Sequence, residues 1–413
     1  MKHVVVVGGG VIGLASAYYL KKLGMDVTLI EKDQFGMACS KGNQGWVCPA
    51  LHEPIPAPGL VSESFQMLLK KDSPLYIKPS AVPRLSSWLT QFTKYCNEEA
   101  FKKGEKALLT LSKSTLSLFD SFEADGIEFE LYRKGMLFAF LDETKLQHKL
   151  ERFKEVAKLY GHASPVHLHA KEIHDMEPTL SKNVIGGIYL DQQYHIRPES
   201  LLKGLVKKLE EMGANLYANT EVVDLERKGQ HVVAVKTAKE SFEADNVVLA
   251  MGAWSEKLTK KLHYKLPLTA GKGYSMTISN PNHQLEHPLY LGDTKGGITP
   301  FNNAVRIGGT MELSGTNLNF DKKRMQRIRS SAALYLKGEI GGDQEEEWVG
   351  MRPMTPDGLP VIGKVPEMEN AYIATGHAMV GMSMAPATGK IMSDLISRDN
   401  TEFDISAFKP SRF

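Results

Sequence analysis

The run Gly8-Gly9-Gly10-Val11-Ile12-Gly13 places glycines at the first, third and sixth positions of a G-x-G-x-x-G turn. Such a turn does chemistry only between a strand and a helix, and both flanks qualify. Residues 4–7 are wholly apolar, and residues 15–23 have helical spacing that stops at Gly24. In that setting Gly8 permits the tight turn, Gly10 lets a pyrophosphate approach the backbone, and Gly13 lets helix and sheet pack closely. The helix start adds unpaired N–H groups and partial positive charge for the phosphate. A second apolar strand over 27–30 leads to Glu31, where a carboxylate accepts hydrogen bonds from a ribose and repels a 2′-phosphate. Strand, spacing, helix and acid agree on a dinucleotide site.

Two later segments bear on which dinucleotide. Residues 247–254 form an apolar strand that breaks at Gly252. Residues 371–377 form another, ending in Gly376-His377 and followed by Gly381 and a helix. A flavin is held along its whole length, and a late helix N-terminus favours negative charge at its N1 and C2=O edge. Core strands with glycine turns would show the same pattern, so the residues alone leave both readings open.

The elements that must position these residues follow from length and pattern. A chain of 413 residues suggests two or three domains. Hydrophobic content of 42% and charged content of 24% exclude a disordered chain or coiled coil, and a net charge of +2 offers no basic excess for nucleic acid. Cys39, Cys48 and Cys96 have neither zinc-site nor disulfide spacing, which predicts a reduced, cytoplasmic setting. Met1-Lys2-His3 runs directly into a strand, predicting no secretion signal. The longest stretch free of Asp, Glu, Lys and Arg, 370–389, carries Gly376, Gly381 and Pro386 and reads as strand, turn and helix rather than a membrane span.

Prolines concentrated over 49–83 mark where the chain leaves the first βαβ unit. Residues 86–124 read as mostly helical, 127–131 and 136–141 as paired strands, and 145–160 as a helix. Pro198 opens an amphipathic helix ending near Gly213. Short strands are expected at 221–226, 231–236 and 246–250, a strand-rich region over 266–309, a helix at 322–336, and a closing helix at 382–396. No internal repeat or low-complexity tract is present.

The fingerprint, the segment Ala250-Met251-Gly252-Ala253-Trp254, and Gly350-Met351-Arg352-Pro353-Met354-Thr355-Pro356-Asp357-Gly358 through Val361-Ile362-Gly363 together resemble the D-amino-acid-oxidase-like flavoprotein family. Gly376-His377, Gly381 and Pro386-Ala387-Thr388-Gly389 add to this. Gly45–Pro49, Ala57-Pro58-Gly59, Pro74-Leu75 and Lys272-Gly273-Tyr274-Ser275 are most similar to its bacterial D-amino-acid dehydrogenase branch. The resemblance covers nearly the whole chain. It implies an α/β plus α+β fold in which a Rossmann-like domain (1–48, 198–262 and 345–413) binds FAD, and a strand-rich, helix-flanked substrate domain (49–197 and 263–344) closes over the ring.

Residue by residue, the resemblance puts Gly8, Gly10, Val11, Ile12, Gly13, Glu31 and Lys32 on the adenosine and pyrophosphate. It puts Ser40, Asn43, Gln44 and Gly45 in a loop beneath pyrophosphate and flavin, where Gly42-Asn43-Gln44-Gly45 departs at two places from the Ala-Asn-Ala-Gly usual in the dehydrogenases. Val222 would flank the adenine. Gly252, Gly376, Val380, Gly381 and Met382 would line the flavin. No cysteine stands near Gly350, so the FAD is expected to be non-covalent. Arg352 is the implied carboxylate-binding residue, since a bidentate guanidinium fixes a carboxylate in direction as well as charge. Tyr274 would cover the substrate, although Ala270 replaces the family's proline two residues before Lys272. His377 would contact flavin or substrate, and Arg306 reads as a surface residue or a second cation at the ring.

The implied reaction is oxidative deamination of D-amino acids, by hydride transfer from Cα–H to flavin N5, to 2-oxo acids and ammonia. Electrons would pass to a quinone or respiratory carrier at the inner face of the cell membrane. The nearest alternative is an oxidase or dehydrogenase of glycine, sarcosine, proline or hydroxyproline. Residues 65–71 and 88–95 offer candidate amphipathic surfaces for membrane contact, a pattern that also serves core packing.

Overall fold

The computed structural model describes residues 2–68, 73, 75–162 and 164–413. Two sheets organise the described residues. The first has six strands in the order Asn215–Tyr217, Asp26–Ile30, His3–Val7, Asn246–Leu249, Ala371–Thr375 and Val361–Lys364. All neighbours run parallel except the last pair, which is antiparallel. Its central strands are buried on both faces, which is why they read as unbroken apolar runs rather than alternating ones.

Helices Val11–Lys22, Pro198–Glu211 and Gly381–Arg398 cover one face. In Pro198–Glu211 the residues Leu201, Leu202, Leu205 and Leu209 are all buried, at helical spacing. Each such leucine contributes about 1.5–3 kcal/mol relative to exposure. A three-stranded antiparallel sheet, Val222–Lys228, His231–Thr237 and Ser241–Glu243, covers the other face through Val222, Leu225, Val232 and Val235.

The second sheet is larger and mixed. Its order is Gln344–Met354, Thr269–Ser279, Ala304–Leu313, Gly296–Phe301, Leu289–Leu291, Met136–Phe140, Gly186–Leu190 and Val166–His169. Leu75–Ile77 also pairs with Ala304–Leu313. One face packs on helix Lys322–Ala333 through Met276, Ile278, Ile307, Met325 and Ile328. Strand Gln344–Met354 belongs to this sheet along its whole length, although the chain returns to the first sheet directly after it.

Several expectations need correction. Residues 127–131 and 136–141 do not pair with each other. Leu131–Tyr132 pairs with Tyr194–Ile196, and Met136–Phe140 lies between Gly186–Leu190 and Leu289–Leu291. The cause is burial: Met136–Phe140 is covered on both faces and needs two strand neighbours from distant sequence. The helical region over 86–124 is three helices, Val82–Tyr95, Glu98–Ser112 and Thr115–Ala124; Asn97 accepts from the Ala100 N–H to cap the second. Of the expected amphipathic helix over 65–71, residues 69–71 and the side chains of 65–68 lie outside the described residues, as does Pro74. Trp88 is buried against Met354 and stacks on Phe92, and Trp88, Leu89 and Phe92 line a cavity, so these apolar residues of the 88–95 stripe face inward. Among the described residues no helix is long and apolar enough to cross a membrane.

Candidate active site

The fingerprint glycines divide by what surrounds them. Gly8 has φ +104°, and a Cβ there would lie 2.6 Å from the Ala250 carbonyl oxygen. A Cβ on Gly13 would sit 1.8 Å from the Gly8 oxygen, so helix and turn touch only because that carbon is missing. Gly10 differs: a Cβ would meet only the Ser40 hydroxyl, at 3.4 Å, with open cavity beyond. The first two glycines build the turn, and the third leaves room for a ligand.

Glu31 is buried and engaged with the same turn. Its carboxylate accepts from the Gly9 N–H at 2.7 Å and the Asp33 N–H at 3.0 Å, and it also lines the cavity. Ser40 accepts from the Val11 N–H at 3.1 Å, at the helix start. Lys32 lies with its ammonium 4.2 Å from the Trp254 ring centroid.

The cavity is about 2340 Å³. It runs from Glu31, Lys32 and Val222 past Gly8, Gly10, Val11 and Ile12, under Ser40, Asn43 and Gln44, to Gly252, Arg352, His377, Val380, Gly381 and Met382. Gly13, Gly45 and Gly376 do not line it. Gly45 has φ +76°, and a Cβ would fall 1.9 Å from the Ile196 oxygen; Gly376 turns the chain at φ +79° against Thr355. Like Gly13, they shape the walls.

Two helices aim their N-termini at this space: Val11–Lys22, and Gly381–Arg398, whose Gly381, Met382 and Ser383 line the cavity. Neither has an acidic residue in its first turn. Both ends therefore present N–H groups and partial positive charge to the cavity.

The loop before Trp46–Val47 is held from the larger sheet. Arg306 is 1% exposed, which corrects its reading as a surface residue. Its guanidinium donates to the Lys41 and Asn43 carbonyls at 2.8 Å each, to the Thr277 hydroxyl at 2.9 Å, and pairs with Glu199. A buried guanidinium persists here because these acceptors satisfy it. Gln44 accepts from Thr299, which in turn accepts from the Trp46 indole N–H. Asn43 turns its side chain inward to accept from the Gly45 N–H at 2.8 Å. The two departures from the dehydrogenase loop thus have local partners: Gly42 makes room for the Trp348 ring, and Gln44 reaches Thr299.

Arg352 stands on strand Gln344–Met354, in register with Gly271. Successive strand residues face opposite sides, so Arg352 shares a face with Gly350, Gly271 and Gly273. A Cβ on Gly273 would lie 2.4 Å from the guanidinium carbon and from both terminal nitrogens, which places the guanidinium flat on bare backbone. One nitrogen donates to the Thr310 carbonyl at 3.1 Å and lies 3.8 Å from the Met311 sulfur. Among the described residues Arg352 makes no ion pair. Burial pulls its pKa down to about 10, so it remains a cation at neutral pH. An uncompensated cation lining a cavity calls for an anionic ligand.

Tyr274 is part of the cavity wall, but its side chain is directed elsewhere. One residue from Gly273, its ring points to the opposite face, into the core with Met276 and Ile278, and its hydroxyl donates to Glu312 at 2.7 Å. The structure does not bring its ring to Arg352; the residue of that segment on Arg352's face is Gly273. His377 lines the cavity but is 3% exposed and bonded through Nε2 to Thr388 at 3.0 Å. Burial holds its pKa near 3, so the imidazole is neutral. His52, Trp46, Thr310 and Trp348 also line the cavity and escaped the sequence reading; none sits in a motif with a chemical signature of its own.

These features fit a dinucleotide lying along the cavity: an acid at one end, the Gly10 opening and a helix N-terminus in the middle, and a second helix N-terminus beside the Arg352 cation at the other. The comparisons agree. Residues 3–395 match the model of the FAD dependent oxidoreductase family. A D-amino acid dehydrogenase of Vibrio atlanticus is 30% identical over 408 residues, covering 96% of each chain. One of Helicobacter pylori is 29% identical over 95% of this chain and 94% of its own. Among solved structures, glycine oxidase from Geobacillus kaustophilus aligns at TM-score 0.76 and 24% identity, covering both chains fully. L-proline dehydrogenase from P. horikoshii aligns at 0.78 and 20%, over 100% of this chain and 97% of its own. At these identities the structures establish the fold.

Proposed function

The chain belongs to the FAD-dependent oxidoreductase family, and from that premise we propose that it oxidises D-amino acids to 2-oxo acids and ammonia, passing electrons to a quinone or respiratory carrier at the cytoplasmic face of the membrane. The observation that carries this reading is the Arg352 guanidinium, flat on Gly273, lining the cavity and without an acidic partner among the described residues. FAD supplies the two-electron acceptor for the substrate's α-carbon.

The residues supply position. Segments 1–48, 198–262 and 345–413 hold the FAD, with strand Gln344–Met354 shared with the substrate sheet. Glu31 and Val222 take the adenosine end, and Gly10, Val11, Ile12 and Ser40 the pyrophosphate. Asn43, Gln44, Gly252, Val380, Gly381 and Met382 surround the ring. The N-terminus of Gly381–Arg398 would favour negative charge on a ring held there. Arg352 fixes the substrate carboxylate, and with it the direction of the Cα–H bond. Once the amine has become an imine, water attacks its carbon and ammonia leaves. His377 and His52 are assigned no role as a base, since burial lowers their basicity and each Nε2 is already hydrogen-bonded.

An anaerobic panel of D-, L- and N-methyl amino acids, with glycine and L-proline, tests the reading by bleaching of the flavin absorbance. Bleaching by D-amino acids, followed by reoxidation with a soluble quinone faster than with air, supports it. Bleaching confined to glycine, sarcosine or proline, with peroxide released in air, overturns it in favour of an oxidase.

A further inference from the structure

Behind Arg352, on the opposite face of the same strands, lies a buried polar cluster that the reaction does not use. Lys272 is 1% exposed, Tyr274 2% and Glu312 6%. Lys272 donates to Glu312 Oε1 at 3.0 Å, to Asn317 Oδ1 at 2.9 Å and to the Asn319 carbonyl at 2.9 Å. Tyr274 donates to the other carboxylate oxygen, Oε2, at 2.7 Å. One carboxylate thus ties together two side chains from the neighbouring strand.

The site of the tie is a register break. Lys272 pairs with Glu312, but Tyr274 pairs with Gly309. Gly273 alone on one strand therefore faces both Thr310 and Met311 on the other, which is a β-bulge. Those two residues are the ones that touch the Arg352 guanidinium, and Gly273 is the one it lies on. Thr310 also takes a left-handed conformation, φ +61°, which a β-branched residue adopts only under constraint. Its hydroxyl accepts from Arg324 at 3.1 Å.

We propose that Lys272, Tyr274 and Glu312 are positioning residues: they clamp the two ends of this bulge from behind and so hold the Thr310 carbonyl and the Gly273 backbone where they orient Arg352 toward the substrate carboxylate. This rests on the assignment of Arg352 as the carboxylate-binding group. Removing the clamp lets the extra residue shift along the strand, which turns the Thr310 carbonyl away from the guanidinium. Removing only the Tyr274 hydroxyl leaves the buried Lys272–Glu312 pair in place, so it is the gentlest break of the clamp.

The test uses the FAD-loaded enzyme and two unreactive probes, benzoate and benzamide, titrated by the change they cause in flavin absorbance. Tyr274→Phe keeps the ring and removes one hydrogen bond. It is expected to weaken benzoate severalfold, because the Arg352 guanidinium is no longer held in one orientation, while benzamide binding stays near wild type. In an Arg352→Met background the same substitution is expected to change neither probe. Glu312→Gln should act in the same direction, and Tyr274→Phe alone carries the comparison if that variant aggregates. Loss of benzoate binding in Arg352→Met but wild-type affinity in Tyr274→Phe would overturn the clamp and leave the functional reading standing. Wild-type benzoate affinity in Arg352→Met would overturn the assignment of Arg352, and the clamp with it.

Discussion

Gly273→Ala separates position from stability. The new methyl would lie 2.4 Å from the Arg352 guanidinium carbon and both terminal nitrogens, whereas ordinary contact begins at 3.4 Å. The guanidinium must therefore lift by about 1 Å, the scale at which misplacement costs about 100-fold in rate. The backbone pays little. Gly273 is not in the left-handed region, and the group that must move is the free end of a long side chain. Replacing glycine in a strand also lowers the entropy of the unfolded chain by about 0.4–1 kcal/mol, which offsets part of any strain. The expected variant folds, binds FAD and melts within a few degrees of wild type. Its kcat/KM for amino acids falls about 100-fold. Steady-state kinetics with an artificial acceptor, alongside a thermal melt, measure both quantities on one preparation. A kcat/KM within twofold of wild type would refute the reasoning, because a displaced guanidinium would then orient substrate as well as the native one. A collapse in melting temperature would refute the claim that the side chain yields more cheaply than the strand.

The fingerprint glycines should respond in opposite ways: Gly10→Ala should fold but purify with little FAD, since its Cβ meets only the Ser40 hydroxyl, whereas Gly13→Ala should fail to accumulate as soluble protein. Flavin content per chain and soluble yield distinguish the two. Glu31→Gln weakens the acceptor for the Gly9 and Asp33 N–H groups and for the ribose; FAD affinity should fall about tenfold or more, read by flavin fluorescence on dilution. Acid should destabilise the chain through its neutral histidines. Burial holds His52, His195 and His377 near pKa 3, against about 6.5 unfolded. Below pH 6.5 the unfolded chain takes up protons that the folded chain refuses, so stability is intact above that value and is lost as pH falls toward 3. Each imidazole contributes about 2 kcal/mol of loss between pH 7 and pH 5. Denaturant melts at the two pH values measure this, and His195→Asn should shrink the difference by about a third.

Much of the nucleotide end is legible in sequence because it is local. Turn, helix start, second strand and Glu31 lie within about thirty residues, and each carries its own stereochemical demand: Gly8 the left-handed turn, Gly13 the close approach, Glu31 the acceptor. The substrate sheet is not local. Arg352 meets Gly273 and Thr310 only through pairings between strands far apart in the chain, and strand register is set by burial rather than by any nearby signal. That is why the segment Lys272-Gly273-Tyr274-Ser275 reads as a site through its aromatic side chain, whereas the member that lies against the Arg352 guanidinium is Gly273. An aromatic side chain looks like a contact and a glycine looks like a gap, yet on a strand of period two the neighbour of a core residue faces the cavity. Here the residue without a side chain makes the site. The same blindness hid Arg306. Among the described residues its partners come from strand Thr269–Ser279, the loop at 41–43 and Glu199, and no one of these is adjacent to it in sequence.

The placement of Arg306 and Gln44 bears on how the two halves of the site communicate. The loop over 40–45 supplies cavity wall on the nucleotide side, where Ser40 bonds Val11, yet its Lys41 and Asn43 carbonyls and the Gln44 side chain bond to the larger sheet, through Arg306 and Thr299. Arg352 stands on that same sheet. The proposed carboxylate-binding Arg352 and the proposed cofactor loop are therefore both tied to the larger sheet, Arg352 by strand pairing and the loop by hydrogen bonds. A reaction that depends on aligning a Cα–H bond with a ring gains most from that arrangement, since an error in relative placement enters the rate directly, whereas motion of the sheet as a whole carries both groups together.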